Sequence, residues 1–459
     1  MIYKRLSLFN FFALFVFAIF IALNSAYSQS VNPSGNNAFV PVTYGGSVLG
    51  GVEIDVQGIC AIAPRNAMDN FSKDMRRTFE KIPEDLSQQV SIRKISLKKI
   101  NQAIQQTLDD GDFLPDTVRY LGGLTAINYV VLLPEEQDIL LVGPSEGWKI
   151  DASGHVVGNI TGRPILRLED LVILFRTWHN KDVHSTITCS IDPTPESIAR
   201  MNAVKNKYGV PSKQNAVAYA NDLEKAADKD IVVIKGIETT SRIAKMLVAA
   251  DFKMKQIGLG HVQSGLRGLP SYVSLLSGSP RNINPRFWLS ADYGVIYHDS
   301  LKLTWKLPDV KVNAKTEDQY IDAKNNLRLA SGKIDPAAVR WCKKMDEQYN
   351  ALSRVDPAFG ELRNCMCLAM AVALIIREDL LNKSGCSISA ITDEPKMKTP
   401  KLPEPKFVLV KSVVGKNVVA CGGVEINPFT AIQSAKLDNK IDKQREQLAK
   451  TTGNNWWSK

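Results

Sequence analysis

The sequence predicts an α+β or mixed α/β fold, built from mixed sheets with βαβ-like units and a helical C-terminal region. Three patterns support this fold class. Apolar and acidic residues alternate over Val52–Val56, which is typical of a half-buried strand, and apolar residues at helical spacing follow over 67–81. The run from Cys365 to Ile376 is almost entirely apolar, which indicates a helix buried on all sides. We therefore expect one body of two subdomains with a helical region packed against it.

Residues 1–28 have the features of a secretory signal peptide. Lys4 and Arg5 precede an apolar run from Phe11 to Leu23, and small residues precede a cleavage site near Ser28. The run has about thirteen residues, fewer than the roughly 20 of a membrane-spanning helix, and a membrane anchor is the alternative interpretation. We expect cleavage near Ser28, a flexible polar leader over 29–40, no transmembrane segment in the mature chain, and a periplasmic or extracellular location.

Residues 41–330 are predicted to form the mixed α/β body. Its first βαβ-like passage runs from a strand at Ser91–Ile95 through a helix capped by Ser96 to a strand at Ile127–Leu133. The turn-rich segment Pro134–Gln137 is predicted to connect that strand to a second, antiparallel strand that begins at Asp138, which gives a hairpin. The second passage has these predicted elements: a strand at Asp230–Lys235, a helix at Thr240–Ala250 and a strand at Asp251–Leu259.

The C-terminal part of the chain divides by composition. The predicted segments are a helical region at 331–383, a linker or long surface loop at 384–406, returning strands at 407–430 and a charged terminal helix or tail at 431–459. Two long helices, Pro336–Tyr349 and Phe359–Leu381, make up the helical region. In the tail, Leu437, Ile441 and Leu448 form an apolar stripe that could dock a partner.

The pentapeptide GGVEI occurs twice, beginning at Gly50 and at Gly422. Paired glycines let two backbones approach closely, and the following Val-x-Ile presents one apolar face. We predict that the two copies are neighbouring strands, which would bring the chain ends together. An antiparallel pairing would place Cys60 opposite Cys421 as a disulfide candidate. The alternatives are a parallel arrangement and strands that lie in different sheets.

Standard catalytic and metal-binding signatures are absent from the sequence. The seven cysteines include a Cys365-x-Cys367 pair, which lacks the CxxC spacing of zinc sites. Gly258 and Gly260 follow apolar residues, but Gln263 occupies the position of the third glycine of a dinucleotide fingerprint. A G-x-S-x-G nucleophile elbow is also missing. We therefore expect neither a metal nor a cofactor.

Arg267 is the most distinctive candidate for a binding residue. It lies between Gly265 and Gly268, ahead of a predicted helix start, where a guanidinium can hold an anionic ligand. The alternative is an arginine that fixes its loop to a neighbouring carboxylate. Glu146 and Trp148 lie in a turn and could supply the carboxylate and aromatic platform of a sugar site, with core packing of the tryptophan as the alternative.

Two classes of function are compatible with these features. The net charge of +10 favours anionic envelope polymers over nucleic acid for an exported chain. The first hypothesis is a binding or structural protein of the cell envelope, with an envelope protein or an anionic polymer as partner. The second is a hydrolase of envelope or extracellular polymers, in which Asp192, Glu146 or Glu361 acts with Arg267 or Arg363. Convergence of these residues in one concave pocket would favour the hydrolase.

Five separated strings together resemble one protein family. They are RYLGGLTAINYVVLLPEEQDILLVGPSEGWK at 119–149, TCSIDPTPES at 188–197, ADFKMKQIGLG at 250–260, LRGLPSY at 266–272 and FGELRNCMCLAM at 359–370. In this order they look like an exported bacterial family, seen chiefly in planctomycetes, that is described only as a domain of unknown function, number 1598. The resemblance implies an exported protein and carries no assigned reaction or ligand.

Overall fold

Two β-sheets and the helices between them are the main features of this computed structural model. It describes residues 48–77, 79–152, 154–179, 185–209, 212–276, 284–322, 327–330, 335–393, 397–411, 421–451 and 455–458. The helices are α1 Arg65–Arg77, α2 Glu84–Ser87, α3 Leu97–Asp109, α4 Asp116–Arg119, α5 Leu168–His179, α6 Pro195–Tyr208, α7 Ala216–Ala227, α8 Arg242–Leu259, α9 Pro336–Val355, α10 Pro357–Arg377, α11 Leu380–Ser384, α12 Ser389–Thr392, α13 Phe429–Gln433 and α14 Lys440–Ala449.

The strands belong to a nine-stranded sheet, a seven-stranded sheet and a separate hairpin. They are β1 Val52–Ile54, β2 Ile59–Ile62, β3 Val90–Ser96, β4 Tyr129–Leu133, β5 Asp138–Ser145, β6 Trp148–Ile150, β7 Val156–Gly158, β8 Ile187–Pro193, β9 Lys229–Lys235, β10 Asn284–Asp292, β11 Tyr297–His298, β12 Thr304–Lys306, β13 Lys311–Asp322, β14 Leu327–Ala330, β15 Phe407–Leu409, β16 Cys421–Ile426, β17 Lys436–Leu437 and β18 Trp457–Ser458.

Both large sheets are mixed, which confirms the predicted α+β class. The nine-stranded sheet has the order β1-β2-β15-β9-β8-β16-β10-β13-β14, with parallel pairs at β2/β15 and β10/β16. The seven-stranded sheet has the order β17-β11-β12-β4-β5-β3-β18, with a parallel pair at β11/β17. Helix α8 packs on β8 and β16 of the first sheet, and α11 packs on β4 and β5 of the second. Because α10 contacts both α8 and α11, it lies in a helical layer between the sheets.

Helix α10 is buried along almost its whole length, as the sequence predicts. Every residue from Ala358 to Ile375 is buried, because α5, α8 and α9 all pack against the helix. Asp356 caps its N-terminus by accepting the N–H of Ala358, and Pro357 occupies the first turn. Among the described residues, α10 is the helix that is long and apolar enough to cross a membrane, and 94% of its most apolar window is buried inside the protein.

The second predicted βαβ passage is partly wrong. Its strand at Asp230–Lys235 corresponds to β9, but the expected helix and following strand are one continuous helix, α8. Ser241 caps α8, and Gly260 ends it in a left-handed conformation with φ of 78°. Polar and apolar residues alternate over 251–255 in the second half of α8, which is the period of a strand, and nearly all of these side chains are buried in the helix.

Strands from the two ends of the chain do pair, but not through GGVEI. β15 is parallel to β2, whereas β1, which follows the first glycine pair, and β16, which contains the second GGVEI copy, are separated by four strands. Cys60 on β2 and Cys421 on β16 have three strands between them, or about 19 Å at the usual strand spacing. That distance is far beyond the reach of a disulfide between them. The predicted Cys60–Cys421 bond is therefore wrong.

Each glycine pair lets another segment of the chain approach closely, but the two pairs contact different segments. A Cβ at Gly50 would lie 3.1 Å from Cβ of Ala358, beside α10. A Cβ at Gly422 would lie 1.6 Å from the carbonyl oxygen of Phe287 on β10. The first pair forms a turn packed against helices, and the second lies inside a sheet. The shared sequence thus reflects a shared need for space and not a mutual contact.

The C-terminal tail packs on the protein itself. Ile441 and Leu448 are 1% and 3% exposed, and Leu448 belongs to a cluster with Val131 and Leu140 on the seven-stranded sheet. Leu437 is 54% exposed. The predicted docking stripe is therefore wrong, because α14 uses most of it to cover the sheet. The tail also provides β18, the edge strand beside β3.

Part of the predicted linker at 384–406 also belongs to the core. Ile391 in α12 and Met397 are fully buried, and the guanidinium of Arg176 on α5 donates to both of their carbonyl groups. This part is therefore not a surface loop. The described part of the predicted helical region, 335–383, shares the main hydrophobic core with α5 and α8.

Candidate functional site

The loop that follows α8 forms a surface cleft of about 500 Å³, named here the Arg267 cleft. Its described lining residues are Ile257, Gly260, Val262, Gln263, Ser264, Gly265, Leu266, Arg267, Leu269, Pro270 and Ser271. The cleft begins where Gly260 ends α8, because the left-handed glycine turns the chain away from the helix axis. A volume of this size is within the range of small-molecule sites, about 300–1,000 Å³.

Hydrogen bonds from α9 and from within the loop hold the Arg267 cleft in place. The indole N–H of Trp341 donates to the carbonyl oxygen of Pro270 at 3.0 Å, and the hydroxyl of Tyr272 donates to Oδ2 of Asp335 at 2.6 Å. Inside the loop, Oγ of Ser264 donates to the carbonyl oxygen of Leu269 at 2.9 Å. The loop therefore has a defined shape before any ligand enters it.

Arg267 is exposed at this cleft and is not used to fix the loop. Its side chain forms no hydrogen bond or ion pair with any residue that the structure describes, so the interpretation as a loop staple is wrong. Within the same described residues, the backbone N–H groups of Gln263 and Gly265 also donate to no acceptor. An exposed guanidinium with unused backbone N–H donors in the same loop is chemically suited to an anion.

Glu146 and Trp148 are structural residues and do not form a sugar platform. Glu146 is 1% exposed, and its carboxylate accepts the N–H of Ile160 at 2.6 Å and both the N–H and the hydroxyl of Thr161. Trp148 is 3% exposed and packs against Tyr120 in a small separate core. Both side chains are buried, so neither can contact a ligand. The alternative interpretation, core packing of the tryptophan, is the one observed.

Glu361 lies in the interior among arginines. It is fully buried on α10, with Oε2 located 2.7 Å from Nη2 of Arg242 and Oε1 located 3.5 Å from Nη2 of Arg167. Burial alone would raise the pKa of Glu361, but the two guanidinium groups outweigh that effect and hold it below its usual value. The sequence hypothesis paired Glu361 with Arg267 or Arg363, and the observed partners are different.

The remaining candidates, Arg363 and Asp192, have separate partners in separate places. Arg363 is buried and forms an ion pair with Asp309. Asp192 lies on β8, 3.0 Å from the guanidinium of Arg286, which itself lies over the ring of Trp288 at 4.1 Å. Of all the sequence candidates, Arg267 alone lines the cleft. The convergence expected for the hydrolase is therefore missing among the described residues.

Sequence reasoning missed the buried charges around Arg242. This residue is fully buried on α8, and its Nη1 lies 2.5 Å from Oδ2 of Asp170 on α5. Beside it, burial raises the pKa of Glu169 to about 7, with a further contribution from Asp170. Glu169 and Asp170 lie in the first turn of α5, where acidic residues are common, so their position in the sequence did not indicate burial.

Metal binding has no candidate cluster in the described part of the chain. Groups of three or more histidine, cysteine, aspartate or glutamate side chains in a ligating arrangement do not occur there. All seven cysteines are buried. Burial raises the pKa of the Cys60, Cys342 and Cys386 thiols to about 12, so these groups are poor nucleophiles.

Comparison with known proteins identifies one family. Residues 189–272 match the model of a family described as a protein of unknown function, DUF1598. No curated protein and no solved structure matches the chain. The matched segment begins within β8 and ends at Tyr272, so it contains α8 and all of the residues that line the Arg267 cleft. Over this segment the chain is similar to the DUF1598 family, the one that its sequence strings resemble.

Proposed function

We propose that this chain is an exported binding protein of the cell envelope that holds an anionic ligand in the Arg267 cleft. The observation that carries the proposal is the guanidinium of Arg267, which lines the cleft and has no partner among the described residues. A guanidinium forms strong bidentate hydrogen bonds with planar anions. Because its charge is not neutralised within the described protein, it is available to a ligand.

Two further features support a binding role. The residues that line the cleft fall inside the segment shared with the family, at 189–272. The chain is also basic, with a net charge of +10, which favours encounter with acidic partners. The carboxylates considered for hydrolysis lie away from the cleft lining and have structural partners. Binding is therefore better supported than hydrolysis.

Export is proposed from the signal-peptide features of residues 1–28. The natural setting would be the periplasm or the extracellular space, with an anionic polymer or an envelope protein carrying an acidic group as the partner. Expression of the full chain, fractionation of the cells and N-terminal sequencing test this part. We expect a product that begins after Ser28 outside the cytoplasm, and an uncleaved chain in the cytoplasm would contradict it.

Ligand binding is tested by thermal unfolding of the chain from residue 29 onward. Acetate, inorganic phosphate and oligogalacturonate are the anionic probes, and a neutral galacto-oligosaccharide is the control. A ligand that binds the folded state raises the unfolding temperature by mass action. We expect at least one anion to do so, and Arg267→Ala to abolish the effect. Arg65→Ala, which removes another exposed arginine, should leave it intact.

Two outcomes would contradict the binding role. The first is a panel in which no anion raises the unfolding temperature more than the neutral sugar does. The second is an equal response in the wild type and in Arg267→Ala. Because Arg267 is exposed and has no partner among the described residues, its replacement should not itself alter the unfolding temperature.

A further inference from the structure

The Arg267 cleft combines a single positive charge with an apolar wall. Arg267 is the one formally charged side chain among the described residues that line it. Ile257, Val262, Leu266 and Leu269 contribute aliphatic side chains to the same lining. Sites of this kind bind ligands through apolar contact and use a few polar groups to fix orientation. Ile257 and Leu269 are buried, and a ligand without an apolar part would leave the half-buried Val262 and Leu266 in contact with water.

The single positive charge of the lining determines which class of anion the cleft can neutralise. A phosphate monoester carries a charge of about −1.5 to −2 near neutral pH and has three strong acceptor oxygens. A carboxylate carries one negative charge, and its two oxygens match the two parallel N–H groups of a guanidinium. One arginine and uncharged neighbours therefore neutralise a carboxylate fully and a phosphate only in part.

The shape of the cleft restricts the size of the ligand. Its lining comes from one end of α8 and one short loop, and its volume is about 500 Å³. Trp341 and the internal bond of Ser264 hold that loop in place, so little conformational entropy is lost when a ligand binds. Such a site holds a small molecule or the terminal group of a larger one.

From these properties we infer that the ligand is a small monocarboxylate with an apolar body. The carboxylate lies on the guanidinium of Arg267, and the hydrocarbon or aromatic body contacts Val262 and Leu266. This assignment rests on the proposed function, because it names the ligand class of the same cleft. It excludes polyanions and phosphates as the preferred ligands.

Four probes separate the contributions of charge and apolar body. They are 4-phenylbutyrate, which has both features, 4-phenyl-1-butanol, which lacks the charge, acetate, which lacks the body, and inorganic phosphate. Dissociation constants are measured by isothermal titration calorimetry at constant ionic strength, with the chain from residue 29 onward. We expect 4-phenylbutyrate to bind at least ten-fold more tightly than each of the other three.

Variants then assign the binding to Arg267. Arg267→Ala should weaken 4-phenylbutyrate binding at least ten-fold, and Arg267→Lys should have an intermediate effect because it keeps the charge but loses the planar fork. Arg65→Ala should bind as the wild type does. Equal binding of phosphate, with both anions lost in Arg267→Ala, would overturn the monocarboxylate assignment and leave the proposed function standing. Equal binding of 4-phenyl-1-butanol would overturn the assignment, and binding of no anion at all would overturn both.

Discussion

Nη2 of Arg242 on α8 lies 2.7 Å from Oε2 of Glu361 on α10, and both side chains are fully buried. This ion pair joins the two most buried helices of the protein. We predict that Glu361→Gln lowers the free energy of unfolding by about 3–5 kcal/mol, because it removes the buried carboxylate that Arg242 and Arg167 share and leaves Arg242 with Asp170 alone. Urea unfolding measures the change. Glu347→Gln, at an exposed position on α9, is the control and should change stability little.

The same substitution distinguishes a structural from a functional role for Glu361. If Glu361 has only a structural role, the folded Glu361→Gln protein should bind ligands in the Arg267 cleft with unchanged affinity. Loss of binding at unchanged stability would instead return Glu361 to the list of functional residues. That result would also reopen the hydrolase hypothesis.

Glu169 makes stability depend on pH. Its pKa is raised from 4.5 to about 7 in the folded protein, first by burial and then by Asp170. Between these two values the folded protein retains a proton that the unfolded chain has released, so the free energy of unfolding falls as the pH rises from about 4.5 to about 7. The total decrease from this group is up to about 3 kcal/mol.

Glu169→Gln should remove this decrease, because glutamine does not ionise. We expect the variant to match the wild type near pH 4.5 and to exceed its stability at pH 8, by up to about 3 kcal/mol. Urea unfolding at several pH values measures the difference between the two proteins. Parallel pH profiles would show that Glu169 ionises in the folded state as readily as in the unfolded chain.

Two buried lysines on α8 should respond in opposite ways to replacement by methionine. Nζ of Lys245 has no hydrogen-bond partner among the described residues, and burial lowers its pKa to about 8. Nζ of Lys255 donates to Oδ2 of Asp251 at 2.9 Å and to the carbonyl oxygen of Ile191 at 3.1 Å. Both are almost fully buried, so the difference between them lies in their partners.

Lys245→Met should therefore raise the free energy of unfolding at pH 7 by about 1–3 kcal/mol, because it removes a buried ammonium group without a partner. The folded-state pKa lies below the usual 10.5, so wild-type stability rises between pH 8 and 10.5 and the gain should vanish above that range. Lys255→Met should lower stability by about 3–5 kcal/mol, because Asp251 loses its partner. Equal effects of the two variants would contradict this account.

Local sequence patterns predicted the elements whose neighbours are close in the chain. The hairpin of Tyr129–Leu133 with Asp138–Ser145 follows from alternation and a turn, and both are local. The all-round burial of α10 follows from its composition. In α8 the pattern beyond Ala250 was misleading, because polar and apolar residues alternate over 251–255 with the period of two that is typical of a strand.

Long-range partners could not be predicted in this way. Glu361 lies in an apolar helix, and nothing near it in sequence identifies Arg242 as the residue beside it. The order of strands in the nine-stranded sheet likewise depends on how distant segments pack. The repeated GGVEI sequence therefore did not predict which strands lie beside each copy. Arg267 was identifiable because its loop chemistry, an arginine between glycines ahead of a predicted helix start, is local.

The second GGVEI copy provides the last prediction. Gly422 has a φ of +148°, and a Cβ there would lie 1.6 Å from the carbonyl oxygen of Phe287 on the neighbouring strand. Gly422→Ala must therefore separate β16 from β10 or distort both. We expect a loss of about 3 kcal/mol or more in the free energy of unfolding, from overpacking together with backbone strain. Urea unfolding of the purified variant measures it.

Gly111→Ala is the matched control, because Gly111 has a φ of +71° but no atom within 4 Å of the added Cβ. It therefore reports backbone strain without a clash, and it should cost about 1–2 kcal/mol. The excess of Gly422→Ala over this value measures the close approach of β16 and β10. If the two alanine variants are equally stable, the second glycine pair is not required for strand contact, and the physical explanation of the repeated pentapeptide is wrong.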